Sequence, residues 1–160
     1  MSILILTTGG TIDKLYFDAL SEYQIGDSVV ERLLRTARVA PAFRVQEMMR
    51  KDSLELTDDD RGAIAAAVRN APEERVIVTH GTDTMTDTAH ALGDVAGKTV
   101  VLVGALAPAR FAESDATFNL GMAFAAAQVA PPGVWIAMNG TIFDGAKVRK
   151  DRSINSFVAV

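Results

Sequence analysis

Two separated segments carry hydroxyls where a ligand can reach them: Thr7-Thr8-Gly9-Gly10-Thr11 and His80-Gly81-Thr82-Asp83-Thr84. Each follows a short apolar run and sets threonines beside turn-forming residues at the expected end of a strand. In an open parallel sheet, ligands bind outside the carboxyl ends of the strands, so two such loops on neighbouring strands share one crevice. Threonine is a weak nucleophile at its resting pKa. Attack on a carbonyl therefore needs a general base and donors for the developing oxyanion. Thr11 offers its hydroxyl on a loop whose glycines let backbone N–H groups come close to a ligand. Thr82 offers a second, with the Asp83 carboxylate beside it. The candidate base is Lys150, at the end of the run Phe143-Asp144-Gly145-Ala146-Lys147-Val148-Arg149-Lys150, because desolvation lowers the pKa of a lysine.

Each piece also has a plainer reading. Gly9-Gly10-Thr11 alone is a structural turn or a phosphate-type loop, and Thr82 or Asp83 alone is a helix N-cap. Lys150 alone is a solvated lysine, Tyr23 a surface-packing aromatic and Ser53 a cap. It is the two threonine loops together that favour a site. His80 reads as a buried, hydrogen-bonded structural residue and His90 as a helix-surface one. Met48, Met49, Met122 and Met138 read as core filling.

Short strand-like runs alternate with longer helical ones, the pattern of an α/β fold with a parallel sheet. Strands are expected near 2–7, 43–49, 75–79, 99–104 and 133–138. The unbroken apolar character of Val76-Ile77-Val78 and Val100-Val101-Leu102-Val103 suits strands covered on both faces. Ser28-Val29-Val30-Glu31 reads as a capping box opening a first helix. Thr57 with three aspartates after it opens a second, acidic where the helix dipole favours it. A third is expected over 84–95, stopping at Gly97, and a fourth from Ser114 to Val129 ahead of Pro131-Pro132. Residues 13–25 form a connection longer than usual, with Tyr16, Phe17 and Tyr23 on it, and read as a loop that closes over a substrate.

At 160 residues, with 49% hydrophobic and 22% charged, the chain is sized for a single domain with a real core. A net charge of −4 and no basic block argue against a nucleic-acid partner. Without cysteine there are neither disulfides nor thiolate metal ligands. With two histidines as well, no dedicated transition-metal site is expected. The apolar start lacks a basic leader, and no run approaches the roughly 18 apolar residues of a membrane span. No membrane association and a cytoplasmic location are the expectation.

Taken together, these residues resemble the bacterial-type L-asparaginase/glutaminase amidohydrolases, specifically their larger N-terminal domain. Thr8-Gly9-Gly10-Thr11-Ile12 is similar to the first signature of that family, and Val78-Thr79-His80-Gly81-Thr82-Asp83-Thr84-Met85 to the second. Glu22-Tyr23-Gln24-Ile25-Gly26 resembles its mobile loop, and Asp52-Ser53-Leu54-Glu55-Leu56 its carboxylate-binding segment. Val103-Gly104-Ala105, Phe118-Asn119-Leu120 and Met138-Asn139-Gly140-Thr141 follow in order, as does Lys150.

The resemblance implies a three-layer αβα fold with a mostly parallel, flavodoxin/Rossmann-like sheet. It also implies hydrolysis of the side-chain amide of L-asparagine or a related small amide, with no metal and no organic cofactor. Thr11 is then the nucleophile, supported by Tyr23, while Thr82, Lys150 and Asp83 form a second triad. Gly10, Ser53, Leu54, Gly81, Thr82, Asp83 and Ala105 line the substrate: Ser53 at its α-carboxylate, Asp83 at its ammonium, the Ala105 carbonyl at the leaving amide.

Three positions depart from the family pattern. Asp13 stands where a small residue is usual, Leu54 where a polar one is, and Ala107 where an arginine often is. The likeness ends at Phe157-Val158-Ala159-Val160, where family members continue into a smaller C-terminal domain. The expectation is residues 1–160 as one N-terminal-type domain without that second domain, completing its open site as a homodimer or higher homo-oligomer, with the apolar terminus as a contact segment. Two alternatives stand beside this reading. One is a non-catalytic amino-acid-binding or interaction module retaining the pocket. The other is a nucleotide-binding flavodoxin-like domain, disfavoured because no Walker-type lysine or acidic ribose contact has the expected spacing.

Overall fold

The unbroken apolar runs become the centre of a sheet. In the computed structural model, which describes residues 1–160, the chain runs β1 (Ser2–Gly9), β2 (Lys14–Phe17), β3 (Glu22–Ile25), α1 (Val30–Thr36), β4 (Ala42–Lys51), α2 (Asp58–Asn70) and β5 (Arg75–Thr79). It continues through α3 (Met85–Leu92), β6 (Thr99–Val103), α4 (Ala116–Val129), β7 (Gly133–Met138), β8 (Thr141–Asp144), β9 (Val148–Asp151) and β10 (Ser156–Ala159). Six strands form one sheet in the order β4-β1-β5-β6-β7-β8. The first five are parallel and β8 returns antiparallel at the edge.

Alternation along each strand sends side chains to two helical layers. On β1, Leu4 and Leu6 pack into one core with Ile64 and Val68 of α2 and Met85 and Ala89 of α3. Ile3 and Ile5 pack into the other with Val30 and Leu34 of α1 and Leu120, Ala123 and Phe124 of α4. Every residue of β6 is buried, as expected of a central parallel strand covered on both faces. The expected three-layer αβα architecture is what forms. Counting only the parallel strands in chain order, the sheet reads 2-1-3-4-5, so the crossover direction reverses between β1 and β5. That reversal opens a crevice at the carboxyl ends of those two strands. No helix is long and apolar enough to cross a membrane.

Several local expectations change. Residues 13–25 are not an open loop: β2 and β3 pair antiparallel, Tyr16 opposite Tyr23. The capping box at Ser28 does not form. The Ser28 hydroxyl accepts only the Val30 N–H at 3.3 Å, Glu31 is held by Arg35, and the Val29 N–H goes to the Asp13 carboxylate at 3.0 Å. At Thr57 the box does form, with Thr57 Oγ1 taking the Asp60 N–H and Asp60 taking the Thr57 N–H. Helix α3 ends at Leu92, where Gly93 rather than Gly97 supplies the C-terminal stop. Strands β8, β9 and β10 are additional. In the terminal segment Phe157 lies in the core and β10 is paired to β9 with Phe157 opposite Lys150, while Ala159 and Val160 stay exposed.

Candidate active site

Adjacent strands β1 and β5 are in register from Ile3 with Arg75 to Thr7 with Thr79, so the two threonine loops leave the sheet side by side. They meet backbone to backbone. A Cβ on Gly10 would stand 2.5 Å from the Gly81 nitrogen and 2.6 Å from its Cα, and Gly10 has φ 86°, which side chains rarely adopt. A Cβ on Gly81 would in turn stand 2.6 Å from Cβ of Ser53. The three segments carrying Gly10, Gly81 and Ser53 therefore converge in one place. Gly10→Ala is expected to lower stability by about 2 kcal/mol or more through strain and backbone overlap, read from denaturant midpoints. The exposed mid-helix Gly62, where an added methyl would meet nothing within 4 Å, is the control, and alanine there is expected to stabilise by about 0.5–1 kcal/mol.

Beside this junction, Lys150 Nζ donates to Thr82 Oγ1 at 2.8 Å and to Asp83 Oδ1 at 2.8 Å. The lysine side chain is only 12% exposed. It is delivered by the β9–β10 hairpin from 68 residues away in the chain, which excludes the plainer solvated-lysine reading. The N-cap reading of the second loop also fails, because α3 is capped at Thr84 without a side-chain bond. Arg152 Nε approaches the same Asp83 oxygen at 3.8 Å. The N–H groups of Gly81 and Thr82 donate to no other group of the chain.

Buried His80 holds this loop by its tautomer. Its Nδ1 lies 2.7 Å from the Gly81 carbonyl and its Nε2 2.7 Å from Thr88 Oγ1. A carbonyl only accepts, so Nδ1 carries the hydrogen and Nε2 accepts from the Thr88 hydroxyl. Burial drives the His80 pKa down to about 4 against the opposing hydrogen bond with Gly81, and the neutral ring follows. It is the structural residue expected.

Ser53 is buried, as is Ala105. The Ala105 carbonyl accepts no hydrogen bond within the chain. Thr84 Oγ1 donates to the Ser53 carbonyl at 2.7 Å, tying the segment after β4 to the loop after β5. Leu54 is 67% exposed, and its N–H is turned back onto Asp52. Thr11 sits at the head of a short 3-10 turn, Thr11–Asp13, where its neighbour Ile12 packs on Ala105 and Ala116. Tyr23 stands apart from the junction. Its ring is 53% exposed, stacked 5.4 Å from Tyr16 and 5.8 Å from Phe111, and no hydrogen bond joins it to Thr11.

Two further residues shape the floor and were not singled out as site residues from the sequence. The Asp115 carboxylate accepts the N–H groups of Leu106 and Ala107, and Asn119 Nδ2 donates to the Gly104 carbonyl at 3.0 Å. Asp115 and Asn119 lie four residues apart at the start of α4. That helical spacing and their polarity in an otherwise apolar helix were the available signal.

A family model described as "Asparaginase, N-terminal" matches residues 2–158. The L-asparaginase of Thermococcus kodakarensis is 30% identical over 172 residues, covering 100% of this chain and 51% of that protein. L-asparaginase 2 of Escherichia coli is 32% identical over 160 residues, covering 93% and 46%. Among solved structures, the thermostable L-asparaginase from Thermococcus kodakarensis superposes with a TM-score of 0.88 at 28% identity, covering 100% of this chain and 51% of that one. L-asparaginase I from Vibrio cholerae gives 0.84 at 29% identity, covering 99% and 51%. The chain spans about half the length of the curated relatives it matches. Its match runs from the first residue of β1 into β10 and takes in both threonine loops and the lysine that bridges to the second, so this chain belongs to the asparaginase N-terminal family.

Proposed function

We propose that this chain carries the acyl-transfer centre of an amidohydrolase that releases ammonia from the side-chain amide of L-asparagine or a related small amide. The observation that carries the reading is the junction itself: a lysine 2.8 Å from both a threonine hydroxyl and an aspartate, beside a second threonine loop in backbone contact with the first. Thr11 Oγ1 adds to the amide carbon, and the carbonyl electrons move onto oxygen. The free N–H groups of Gly81 and Thr82 suit that charge. Lys150, held by Asp83, takes the Thr82 proton while Thr82 takes a proton from the attacking centre, and the relay returns one to the departing nitrogen. Ammonia leaves, an ester on Thr11 remains, and water cleaves it to the carboxylic acid and free threonine. Ser53 holds the α-carboxylate, Asp83 the ammonium, and Gly10, Leu54 and the Ala105 carbonyl complete the lining. Tyr23 supports Thr11 from the hairpin, and self-association belongs to the same reading.

The test is an ammonia-release screen of the purified chain across asparagine, glutamine and simple primary amides, run beside calorimetric titration of aspartate and asparagine. Turnover of at least one amide is expected. Tight binding of the amino acids with no ammonia from any amide would overturn the enzyme reading in favour of a binding module.

A further inference from the structure

The segment that follows β6 touches the β2–β3 hairpin at three consecutive residues. The Ala109 N–H donates to the Ile12 carbonyl at 3.1 Å. Arg110 Nη1 donates to the Asp13 carbonyl at 2.9 Å and Nη2 to the Asp27 carbonyl at 2.8 Å. The Phe111 ring lies 5.8 Å from that of Tyr23, which in turn stacks on Tyr16. Asp13 immediately precedes β2 and Asp27 lies two residues past β3, so one guanidinium spans both feet of the hairpin. The Gly26 N–H closes onto the same Asp13 carbonyl at 3.0 Å. The segment is itself fixed. Asp115 takes two of its N–H groups, and Ser114 Oγ donates to the Ala107 carbonyl at 2.9 Å.

We propose that Arg110 and Phe111 form a latch, Arg110 on the feet and Phe111 on the aromatic face, that holds the hairpin bearing Tyr23 and the turn bearing Thr11 in one arrangement. As positioning residues for hydrolysis they rest on the amidohydrolase reading above; as a latch they do not. A planar fork with several donors can hold two carbonyls at once, whereas an ammonium on a flexible stem holds them poorly. The chain up to Thr11 is rigid because it leaves the central strand β1, so release of the hairpin is felt at the turn between them. Misplacement of a reacting group by about 1 Å costs on the order of a hundredfold in rate.

Arg110→Ala, Arg110→Lys and Phe111→Ala separate the possibilities by two measurements. In amide hydrogen exchange, Arg110→Ala is expected to speed exchange across 14–26 by about tenfold or more, with the amides of α2 and β6 unchanged. Arg110→Lys is expected to restore only part of the protection, and Phe111→Ala to loosen the Tyr16–Tyr23 end. In kinetics, kcat is expected to fall by about ten- to a hundredfold in Arg110→Ala, with substrate affinity moving less than threefold. Hairpin exchange equal to the parent in the alanine variants that fold overturns the latch, as does full parental protection in Arg110→Lys. Arg110 and Phe111 are exposed, and if one alanine variant fails to fold the other still decides. A parent that releases no ammonia removes the catalytic role while the exchange result still judges the latch.

Discussion

Changing Lys150 to methionine is expected to lower ammonia release by about a thousandfold, the scale of losing a positioned acid–base group. Methionine keeps most of the apolar stem and removes the charged nitrogen. In the parent that nitrogen is the one group bonded to the Thr82 hydroxyl. Without it the hydroxyl has no route for its proton, and Asp83 keeps Arg152 at 3.8 Å as its neighbour. Thr82→Ala is expected to lose activity to a similar extent, and the double variant no further, because groups that act as one relay are not additive. Thr11→Ala removes the hydroxyl proposed above to be acylated and is expected to abolish turnover. All three variants should melt within a few degrees of the parent, since none empties the core. Lys150→Met retaining a tenth of parental ammonia release would remove the relay from the mechanism.

The inner strands β1, β5 and β6 were legible because burial on both faces leaves an unmistakable mark: runs such as Val100-Val101-Leu102-Val103 have no polar residue to mislead. The meeting of the two threonine loops was legible for a different reason, since glycine and threonine at strand ends mark where backbone can come close, and the Gly10–Gly81 contact lies there. Ser53 carries no such mark and was legible only through the family resemblance, while Lys150 stands out by its chemistry rather than by its place in the pattern. The short hairpins were less legible. Asn139-Gly140, with φ 51° and 70°, is a two-residue hairpin turn of the kind that strongly signals one, yet it joins β7 to only four residues of edge strand. The β2–β3 pair turns at Asp18–Ser21 without such a dipeptide. Arg110 had no local signal at all: its partners lie 97 and 83 residues away, and periodicity cannot report contacts of that separation. The helix entry at Ser28 likewise meets a distant group, a carboxylate 16 residues upstream of Val29 that takes the N–H of this N-cap residue.

That carboxylate, Asp13, is the family departure with a measurable consequence: Asp13→Asn is expected to raise stability at neutral pH by roughly 3 kcal/mol and to erase one pH dependence. Asp13 is 1% exposed. Burial pushes its pKa up to about 6, against the Val29 and Ser28 hydrogen bonds and the Arg110 charge that favour ionisation, while Glu47 adds to the rise. The folded state therefore holds the Asp13 proton more tightly than the unfolded chain does. Between about pH 4 and about pH 6 the native state binds more protons, so this group's contribution to stability falls as pH rises through that window and stays low above it. Asparagine offers the same oxygen to the Val29 N–H with no charge to bury. The variant and the parent should then be equally stable near pH 4 and diverge up to pH 6, with the variant the more stable from there to pH 8. Urea unfolding at several pH values measures the gap. A variant less stable than the parent at pH 7, or a gap that does not change between pH 4 and pH 7, would mean that the ionised carboxylate is favourable where it lies. Asp13 sits two residues from Thr11 and offers its own carbonyl to Arg110, so the penalty falls on the turn that carries Thr11. The expected cost of the native residue is thus borne where a charged carboxylate can bias hydroxyl chemistry, and a comparison of parent and Asp13→Asn ammonia release across the same pH range separates that bias from stability alone.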